Sequence, residues 1–442
     1  APDGYTISKN YVTVAVDTDT AYLTDPVTGD AVIDVEYTNA PVKGQLKIYK
    51  QGEVLKGFDK DFQYEMAGLA GAEFEVYAAE DIYTADHQVD ADGQRTLYFA
   101  KDALVATVTT DADGYATVKN LPLGRYYVKE KNAPDTYVLN TVPENVEFAY
   151  ADQDTAVIEK EISVTDERQK VSITVEKQDA ETGNEAQGDA TLEGAVYGLY
   201  AREDIVHPDG RTGTIYKKDT LITSLTTDKN GEASVSDLYL GKYYLKELSA
   251  PVGYVLDPTE HDVDCTYEGA TVPTVERTSV CKETVVKQPF QIIKAANNGK
   301  TDADLLQGVG FSAWLVSDLK VKADGSYDFD SARPVVLTAD GQTEMFTDEK
   351  GYAKSIPLPY GTYVVRETTS KHNYAPVDDF VVKITENYPD TPQTWRVLLD
   401  KEFKAKLKII KKDAETQKSV LLANTEFKVY DPVSYTHLRA HE

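Results

Sequence analysis

One lysine and one glutamate recur along this sequence, each at the end of a strand-like run. The lysines close the segments LKIYK, ITVEK, FQIIK and LKIIK and are Lys50, Lys177, Lys294 and Lys411. The glutamates close YYVKE, YYLKE and YVVRE and are Glu130, Glu247 and Glu367. Residues two apart share one face of a strand, so each charge is in phase with apolar neighbours and should be buried. Because a lone buried charge is costly, these groups must be paired, neutralised or consumed by a reaction.

A third polar residue lies eleven positions before each lysine and ends the last strand of the preceding repeat. These four residues are Asn39, Asp166, Glu283 and Asp400. The partner of a lysine is therefore the residue that ends its own repeat. This logic pairs Lys50 with Asp166. It also pairs Lys177 with Glu283, and Lys294 with Asp400.

The elements that must position these residues are recognisable as repeated blocks. The first block is GAEFEVYA (71–78), GAVYGLYA (194–201), GVGFSAWL (308–315) and NTEFKVYD (424–431), and the second begins TD and ends at each glutamate. Runs rich in Val, Ile, Tyr and Thr alternate with polar residues, which is typical of β-strands. The lysines are spaced by 127, 117 and 117 residues. The pattern predicts an all-β fold of tandem Greek-key β-sandwiches, of the prealbumin or immunoglobulin type, in a linear rod.

Composition excludes several classes of function. The 442 residues carry 46 Lys and Arg against 74 Asp and Glu, and a net charge of −28 argues against nucleic acid or an anionic membrane as partner. No run of 18 uncharged apolar residues occurs, so no membrane segment is predicted. Two cysteines exclude a disulfide scaffold, and six histidines without an HExxH motif argue against a catalytic metal. No metal and no cofactor are expected.

The ordered blocks resemble a known family. The segments K-(Q/K)-D-A-E-T, GAxFxxYA, TDxxGxxxxxxLxxGxYYxKE and APxGY are similar to Cna B-type, or SpaA pilin-like, domains of Gram-positive surface proteins. The resemblance implies an intramolecular isopeptide bond between a first-strand lysine and a last-strand Asn or Asp, assisted by a buried glutamate. It thus implies that Lys50, Lys177 and Lys294 are nucleophiles, Asp166 and Asp400 acceptors, and Glu130, Glu247 and Glu367 the assisting acids.

Three residues do not belong to a complete set of lysine, Asn or Asp acceptor and glutamate. The resemblance would make Asn39 the acceptor for a lysine upstream of this sequence and would give Lys411 an acceptor downstream. Glu283 is neither Asn nor Asp, so a crosslink to Lys177 is in doubt. Since Glu is one methylene longer than Asp, we predict a buried polar contact among Lys177, Glu247 and Glu283 rather than an efficient amide.

Elementary chemistry supports the crosslink independently of the resemblance. Burial lowers the pKa of an amine and raises that of a carboxyl, so an apolar core favours the neutral forms of both. The neutral amine is a nucleophile, and a protonated glutamate stabilises the oxyanion that develops on the acceptor. Loss of water or ammonia then leaves an uncharged amide. The alternative is an ordinary buried ion pair, or lysines that reach solvent at the strand ends.

The two cysteines belong to the repeat that contains Glu283. Aligned with the preceding repeat, Cys265 and Cys281 replace Phe148 and Val164. One interpretation is two small core hydrophobes. The other is a disulfide between Cys265 and Cys281, which an extracellular setting allows.

The domain division follows from the repeats. We expect the end of a preceding domain at 1–43, complete domains at 44–168, 169–286 and 287–403, the start of another at 404–432, and a non-native tail at 433–442. The favoured function is the stalk of a cell-wall-attached pilin-like or adhesin protein, which is not an enzyme beyond crosslinking itself once. Expected partners are neighbouring repeats of the chain, with sortase and peptidoglycan reached through regions outside it. Alternatives are a module that binds host matrix or glycan, and a spacer in a secreted enzyme.

Overall fold

The computed structural model describes residues 1–18, 22–58, 62–297, 304–421 and 426–429, and almost all of its regular structure is β-strand. Two short strands, β1 (Leu23–Thr24) and β2 (Ala31–Val32), pair with each other near the beginning of the chain. Three larger sets of strands follow, which we call the first, middle and third sandwiches. They lie within the predicted domains 44–168, 169–286 and 287–403 to within one residue. The tail 433–442 lies outside the described residues.

The first sandwich consists of ten strands. They are β3 (Lys43–Phe58), β4 (Phe62–Gly68), β5 (Glu73–Ala78), β6 (Ile82–Tyr83), β7 (Leu97–Phe99), β8 (Leu104–Thr109), β9 (Tyr115–Leu121), β10 (Gly124–Asn132), β11 (Glu144–Phe148) and β12 (Val157–Asp166). One sheet has the order β12-β3-β4, with β9 also paired to β3, and the facing sheet has the order β11-β10-β5-β8. Every second residue of β3 from Leu46 to Lys50 is buried, as its alternating sequence predicts.

The middle sandwich repeats this arrangement. Its strands are β13 (Lys170–Asp179), β14 (Val196–Ala201), β15 (Ile205–Val206), β16 (Thr214–Tyr216), β17 (Leu221–Thr226), β18 (Glu232–Leu238), β19 (Gly241–Ser249), β20 (Glu260–Cys265) and β21 (Thr274–Glu283). The sheets have the orders β18-β13-β21 and β17-β14-β19-β20. The segments 79–103 and 202–219 of the first two sandwiches fold back as the short hairpins β6–β7 and β15–β16.

The third sandwich has the same two sheets with shorter strands around them. Its strands are β22 (Lys287–Gln288), β23 (Gln291–Asn297), β24 (Gly310–Leu315), β25 (Lys320–Val321), β26 (Tyr327–Asp328), β27 (Glu344–Phe346), β28 (Tyr352–Lys354), β29 (Leu358–Pro359), β30 (Gly361–Thr369), β31 (Tyr374–Ala375), β32 (Phe380–Ile384) and β33 (Arg396–Glu402). Two 3-10 turns occur at Val316–Asp318 and Phe329–Ser331. The main sheets have the orders β28-β23-β33-β31 and β27-β24-β30-β32.

In all three sandwiches the first long strand runs parallel to the last one. The pairs are β3 with β12, β13 with β21, and β23 with β33. The register is also the same, because Lys50 lies opposite Val164, Lys177 opposite Cys281, and Lys294 opposite Leu398. Each acceptor candidate therefore ends up two residues beyond its lysine, on the same buried face.

The partial repeats at the two ends do not form the strands that their sequences predict. Residues 33–39 and 407–411 have no strand structure, and Val35, Tyr37 and Lys411 are exposed. A last strand of this fold needs the lysine strand beside it, and a first strand needs the last one. Among the described residues no such neighbour pairs with either segment, so the alternating pattern alone does not produce a strand.

Neighbouring sandwiches meet through equivalent elements. At the first junction the buried Arg168 donates to Glu53 Oε1 (2.8 Å) and to the carbonyl oxygen of Leu238 (2.9 Å). At the second junction the backbone of Asp189 donates to the carbonyl oxygen of Tyr360 (2.9 Å), and the Asp189 carboxylate accepts from the Thr362 amide (3.0 Å). At both junctions, chain that follows the lysine of one sandwich therefore lies near the residues just before the glutamate strand of the next sandwich.

Candidate functional site: a buried lysine with two carboxyls

Each sandwich encloses one lysine side chain between its sheets. Lys50, Lys177 and Lys294 have no solvent-exposed surface, which is unusual for a residue type that is almost never fully buried unless it is paired. The lysine and the acceptor candidate come from one sheet, and the glutamate comes from the facing sheet. Three distant parts of the chain thus meet in one apolar core.

In the first sandwich, Lys50 contacts both predicted carboxyls. Its Nζ lies 2.8 Å from Glu130 Oε1 and is in direct contact with Asp166 Oδ1. All three side chains are completely buried. The second oxygen, Asp166 Oδ2, is also buried and has no hydrogen-bond partner among the described residues.

The third sandwich has the same geometry. Lys294 Nζ lies 2.7 Å from Glu367 Oε2 and contacts Asp400 Oδ1 directly. Within the described part of the chain, the buried Asp400 Oδ2 also lacks a hydrogen-bond partner. The structure therefore brings together the predicted lysine, glutamate and aspartate twice, in sandwiches that share little sequence outside the blocks.

A backbone amide orients each glutamate. The amide of Asn140 donates to Glu130 Oε2 (2.9 Å), that of Asp257 to Glu247 Oε2 (2.8 Å), and that of Val377 to Glu367 Oε2 (3.3 Å). The donor is always ten residues after the glutamate. One oxygen of each carboxyl is thus held in place, which aims the side chain at the lysine.

A glycine contacts the backbone of the lysine in each sandwich. Gly114, Gly231 and Gly351 each accept a hydrogen bond from the amide of the lysine, at 2.8, 2.8 and 2.7 Å. Their φ angles are 86°, 81° and 65°, and a Cβ atom would lie 2.5, 2.5 and 2.3 Å from the lysine carbonyl oxygen. Only glycine combines this conformation with this close approach. In the sequence it is the recurring glycine of the segment TDxxG.

Burial shifts the acceptors toward their neutral forms. Removal from water raises the pKa of Asp166 to about 7 and that of Asp400 to about 6, although the neighbouring lysine opposes the shift in both cases. The second carboxylate beside each aspartate raises the pKa further. Because each aspartate shares one lysine with a second carboxyl, its titration is coupled to these neighbours.

The middle sandwich differs in two contacts. Lys177 Nζ contacts Glu283 Oε2 directly, but the nearest oxygen of Glu247 is 3.9 Å away. The other oxygen, Glu283 Oε1, accepts a hydrogen bond from the hydroxyl of Tyr197. The predicted cluster of Lys177, Glu247 and Glu283 is thus present, but its acceptor is held by a residue that the sequence analysis did not single out.

We expect the stability of the middle sandwich to fall as the pH rises. Burial, together with Glu283, raises the pKa of Glu247 from 4.5 to about 8. Between these values the folded state binds more protons than the unfolded state, so the free energy of unfolding decreases with pH. Below 4.5 this penalty is absent, and above about 8 it is complete. Calorimetry of the full chain should show the lowest transition moving to lower temperature across this range.

Glu247→Gln is the control for this pH dependence, because the amide has the same shape and does not titrate. In that variant the lowest transition should move less between pH 4.5 and 8 than in the parent chain. A transition in the parent chain that rises with pH would contradict the assignment of the proton to Glu247.

Both cysteines lie among the described residues as free, buried thiols. They belong to the apolar core of the middle sandwich, which agrees with the first of the two interpretations and not with the disulfide. Burial raises the pKa of Cys265 to about 12 and that of Cys281 to about 11, so both stay protonated at neutral pH. Cys281 lies opposite Lys177 in the parallel ladder and thus borders the site.

The terminal candidates are not part of any assembled site. Asn39 is partly exposed and Lys411 is exposed. Neither has an ion-pair or hydrogen-bonding side-chain partner of the kind seen at Lys50 among the described residues. Their proposed roles depend on chain outside this sequence and stay predictions.

A family comparison assigns the fold. The family described as SpaA, prealbumin-like fold domain, matches residues 58–168, 169–278 and 290–396. The chain belongs to this family. The three matched segments follow one another in tandem, and each lies within one of the three sandwiches and its flanking residues.

The chain is similar to a streptococcal surface protein and to two solved Bacillus proteins, one of them a pilin. The trypsin-resistant surface T6 protein of Streptococcus pyogenes is 30% identical over 121 residues, which is 27% of this chain and 19% of the relative. The solved TIE protein of Bacillus anthracis is 22% identical, covering 82% of this chain and 51% of its own, with a TM-score of 0.47. BcpA, the major pilin subunit of Bacillus cereus, is 14% identical, covering 82% of this chain and all of its own, with a TM-score of 0.29. The chain thus spans a fifth to a half of the length of the first two relatives.

Among the described residues, none of the helices has the length and apolar character needed to cross a bilayer.

Proposed function

We propose that this SpaA chain is part of a cell-surface stalk whose first and third domains crosslink themselves through Lys50–Asp166 and Lys294–Asp400 amides. The observation that carries the proposal is the enclosed group of one lysine and two carboxyls, present twice with the same contacts. An ion pair alone is a poor reason to bury three ionisable groups, because desolvation offsets much of the attraction. A reaction that leaves all three groups uncharged removes this cost.

The positions of Lys50, Glu130 and Asp166 are consistent with proton transfers that lead to an amide and one water molecule. Glu130, 2.8 Å from Lys50 Nζ, takes a proton from the ammonium group, and the neutral amine attacks Cγ of the protonated Asp166. The new acid Glu130 donates a hydrogen bond to the acceptor oxygen and stabilises the developing oxyanion. The C–N bond forms, the C–OH bond breaks, and the hydroxyl leaves with a second nitrogen proton as water. The products are a neutral amide and a neutral Glu130.

A stalk is the role that such a bond suits best. The amide connects the first and last strands of a sandwich, so tension applied along the chain passes through it and does not stretch the strands between. Tandem SpaA domains, the match to a streptococcal surface protein and the acidic composition all support a place on the cell surface. Attachment by a sortase to peptidoglycan would use chain outside this sequence. We propose no turnover of an external substrate.

Mass spectrometry of the full chain tests the crosslinks. We expect the intact chain to weigh two water molecules less than its sequence, and a digest to contain two branched peptides, Lys50 with Asp166 and Lys294 with Asp400. Glu130→Ala should restore one water, because the base and acid of the first sandwich is removed. Glu147→Ala, which changes an exposed glutamate of the same sheet, is the matched control and should keep both waters missing. A wild-type chain of full mass would show that these contacts are only ion pairs.

Two other functions stay open to experiment. Exposed loops could bind host matrix or glycan, or the repeats could separate a catalytic domain from the cell wall. Neither is favoured by a specific group of residues in the described structure, whereas the lysine sites favour the stalk directly.

A further inference from the structure

The aromatic residue beside the assisting glutamate differs in chemistry between the middle sandwich and the other two, as the acceptor does. In the antiparallel ladders Phe74 pairs with Glu130, Tyr197 with Glu247, and Phe311 with Glu367. All three rings are buried. Only the middle sandwich therefore carries a hydroxyl at this place.

That hydroxyl binds the acceptor candidate. Tyr197 donates to Glu283 Oε1, while Lys177 contacts Glu283 Oε2, so both acceptor oxygens have partners. In the outer sandwiches the corresponding second oxygens, of Asp166 and Asp400, have none among the described residues. Glu283 is one methylene longer than Asp, and its carboxyl contacts the hydroxyl that Tyr197 has in place of a phenylalanine ring edge.

The lysine also lies differently in the middle sandwich. Lys50 Nζ is 5.7 Å from the centre of the Phe74 ring, and Lys294 Nζ is 5.6 Å from that of Phe311. Lys177 Nζ instead lies 4.5 Å from the ring centre of Tyr254. The assisting glutamate is 3.9 Å from the amine here, against 2.8 and 2.7 Å in the other two sandwiches.

These contacts favour charges where the reaction needs neutral groups. A hydrogen bond to a carboxylate stabilises its ionised form, and an ionised carboxylate is a poor electrophile. Glu247 lies 3.9 Å from Lys177 Nζ, so it is outside hydrogen-bond distance for taking a proton from the ammonium group. The outer sandwiches lack the phenol and keep the acid within reach of the lysine, so the neutral pair is accessible there.

We propose that Tyr197 and Glu283 act as a matched pair that holds the middle domain in an ion-paired, uncrosslinked state. Tyr197 is a positioning residue in this proposal, because it acts through Glu283 and not on the reacting nitrogen. The proposal rests on the proposed function, since it explains why one of three similar sites does not form an amide. The chain would then contain both crosslinked and uncrosslinked domains, and the residues at positions 197 and 283 would determine which kind the middle domain is.

Converting the middle site into the outer kind tests the proposal. In the full chain, Tyr197→Phe with Glu283→Asp recreates the Phe and Asp of the first sandwich, and we expect three missing waters and a new branched peptide joining residue 177 to residue 283. Tyr197→Phe alone should give partial conversion, because Glu283 loses its donor but keeps its length. Tyr243→Phe, which removes another buried hydroxyl of the same core, is the matched control and should leave two waters missing.

The reciprocal exchange guards against a variant that fails to fold. Phe311→Tyr with Asp400→Glu in the third sandwich should abolish its amide and leave one water missing. Three missing waters in the wild-type chain, or two in the folded double variant of the middle sandwich, would overturn the role of Tyr197 while the proposed function stands. A wild-type chain with no missing water would overturn the proposed function instead.

Discussion

Pulling the full chain from its two ends is expected to unfold the middle domain and leave its neighbours folded. In the first and third domains the proposed amides would carry the load from the first strand to the last, so the intervening chain would not be stretched. In the middle domain the load must be borne by hydrogen bonds between β13 and β21. Lys177 and Glu283 are separated by 106 residues, so one extension step of roughly 350 Å should appear.

Single-molecule force measurements on variants identify the source of that step. Glu130→Ala should add a second step of similar length, because the first domain then lacks its amide. The double variant Tyr197→Phe with Glu283→Asp should remove the middle step. Three unfolding steps in the wild-type chain would contradict the presence of amides in the first and third domains. No step at all would contradict the absence of an amide in the middle domain.

Removing the proposed amide of the third domain is expected to have a large thermodynamic effect. The bond closes a loop of 106 residues, which by analogy with a disulfide restricts the unfolded chain by about 4–5 kcal/mol. Glu367→Ala should therefore lower the free energy of unfolding of this domain by at least that amount. The loss is large compared with the usual stability of a domain of this size, about 5–15 kcal/mol.

The two tryptophans make this measurement specific. Trp314 and Trp395 are the only tryptophans of the chain, and both lie in the third domain, so tryptophan fluorescence during denaturant unfolding reports that domain alone. Glu402→Ala, at an exposed position of β33, is the matched control and should change the midpoint little. Equal midpoints for Glu367→Ala and the control would show that no covalent bond had been lost.

Strand phase and repeat spacing were sufficient to predict which residues meet. The alternation around Lys50 and Glu130 predicts their burial, and the constant spacing assigns Asp166 to the same site, because a strand has period two and a repeat preserves its connections. The fold class followed from the same patterns and is confirmed by the family match. These properties depend on the order and spacing of residues along the chain, which can be read directly from the sequence.

Features that depend on contacts between distant segments of the chain were visible only in the tertiary structure. Residues 33–39 and 407–411 have the alternation of strands but form none among the described residues, since a strand is completed by the strand beside it. The role of Gly114 against Lys50 appears only when two distant segments approach within contact distance. The meeting of Tyr197 with Glu283 joins facing sheets across the core. Such distances are set by packing between elements that are far apart in sequence, so periodicity along the chain carries no information about them.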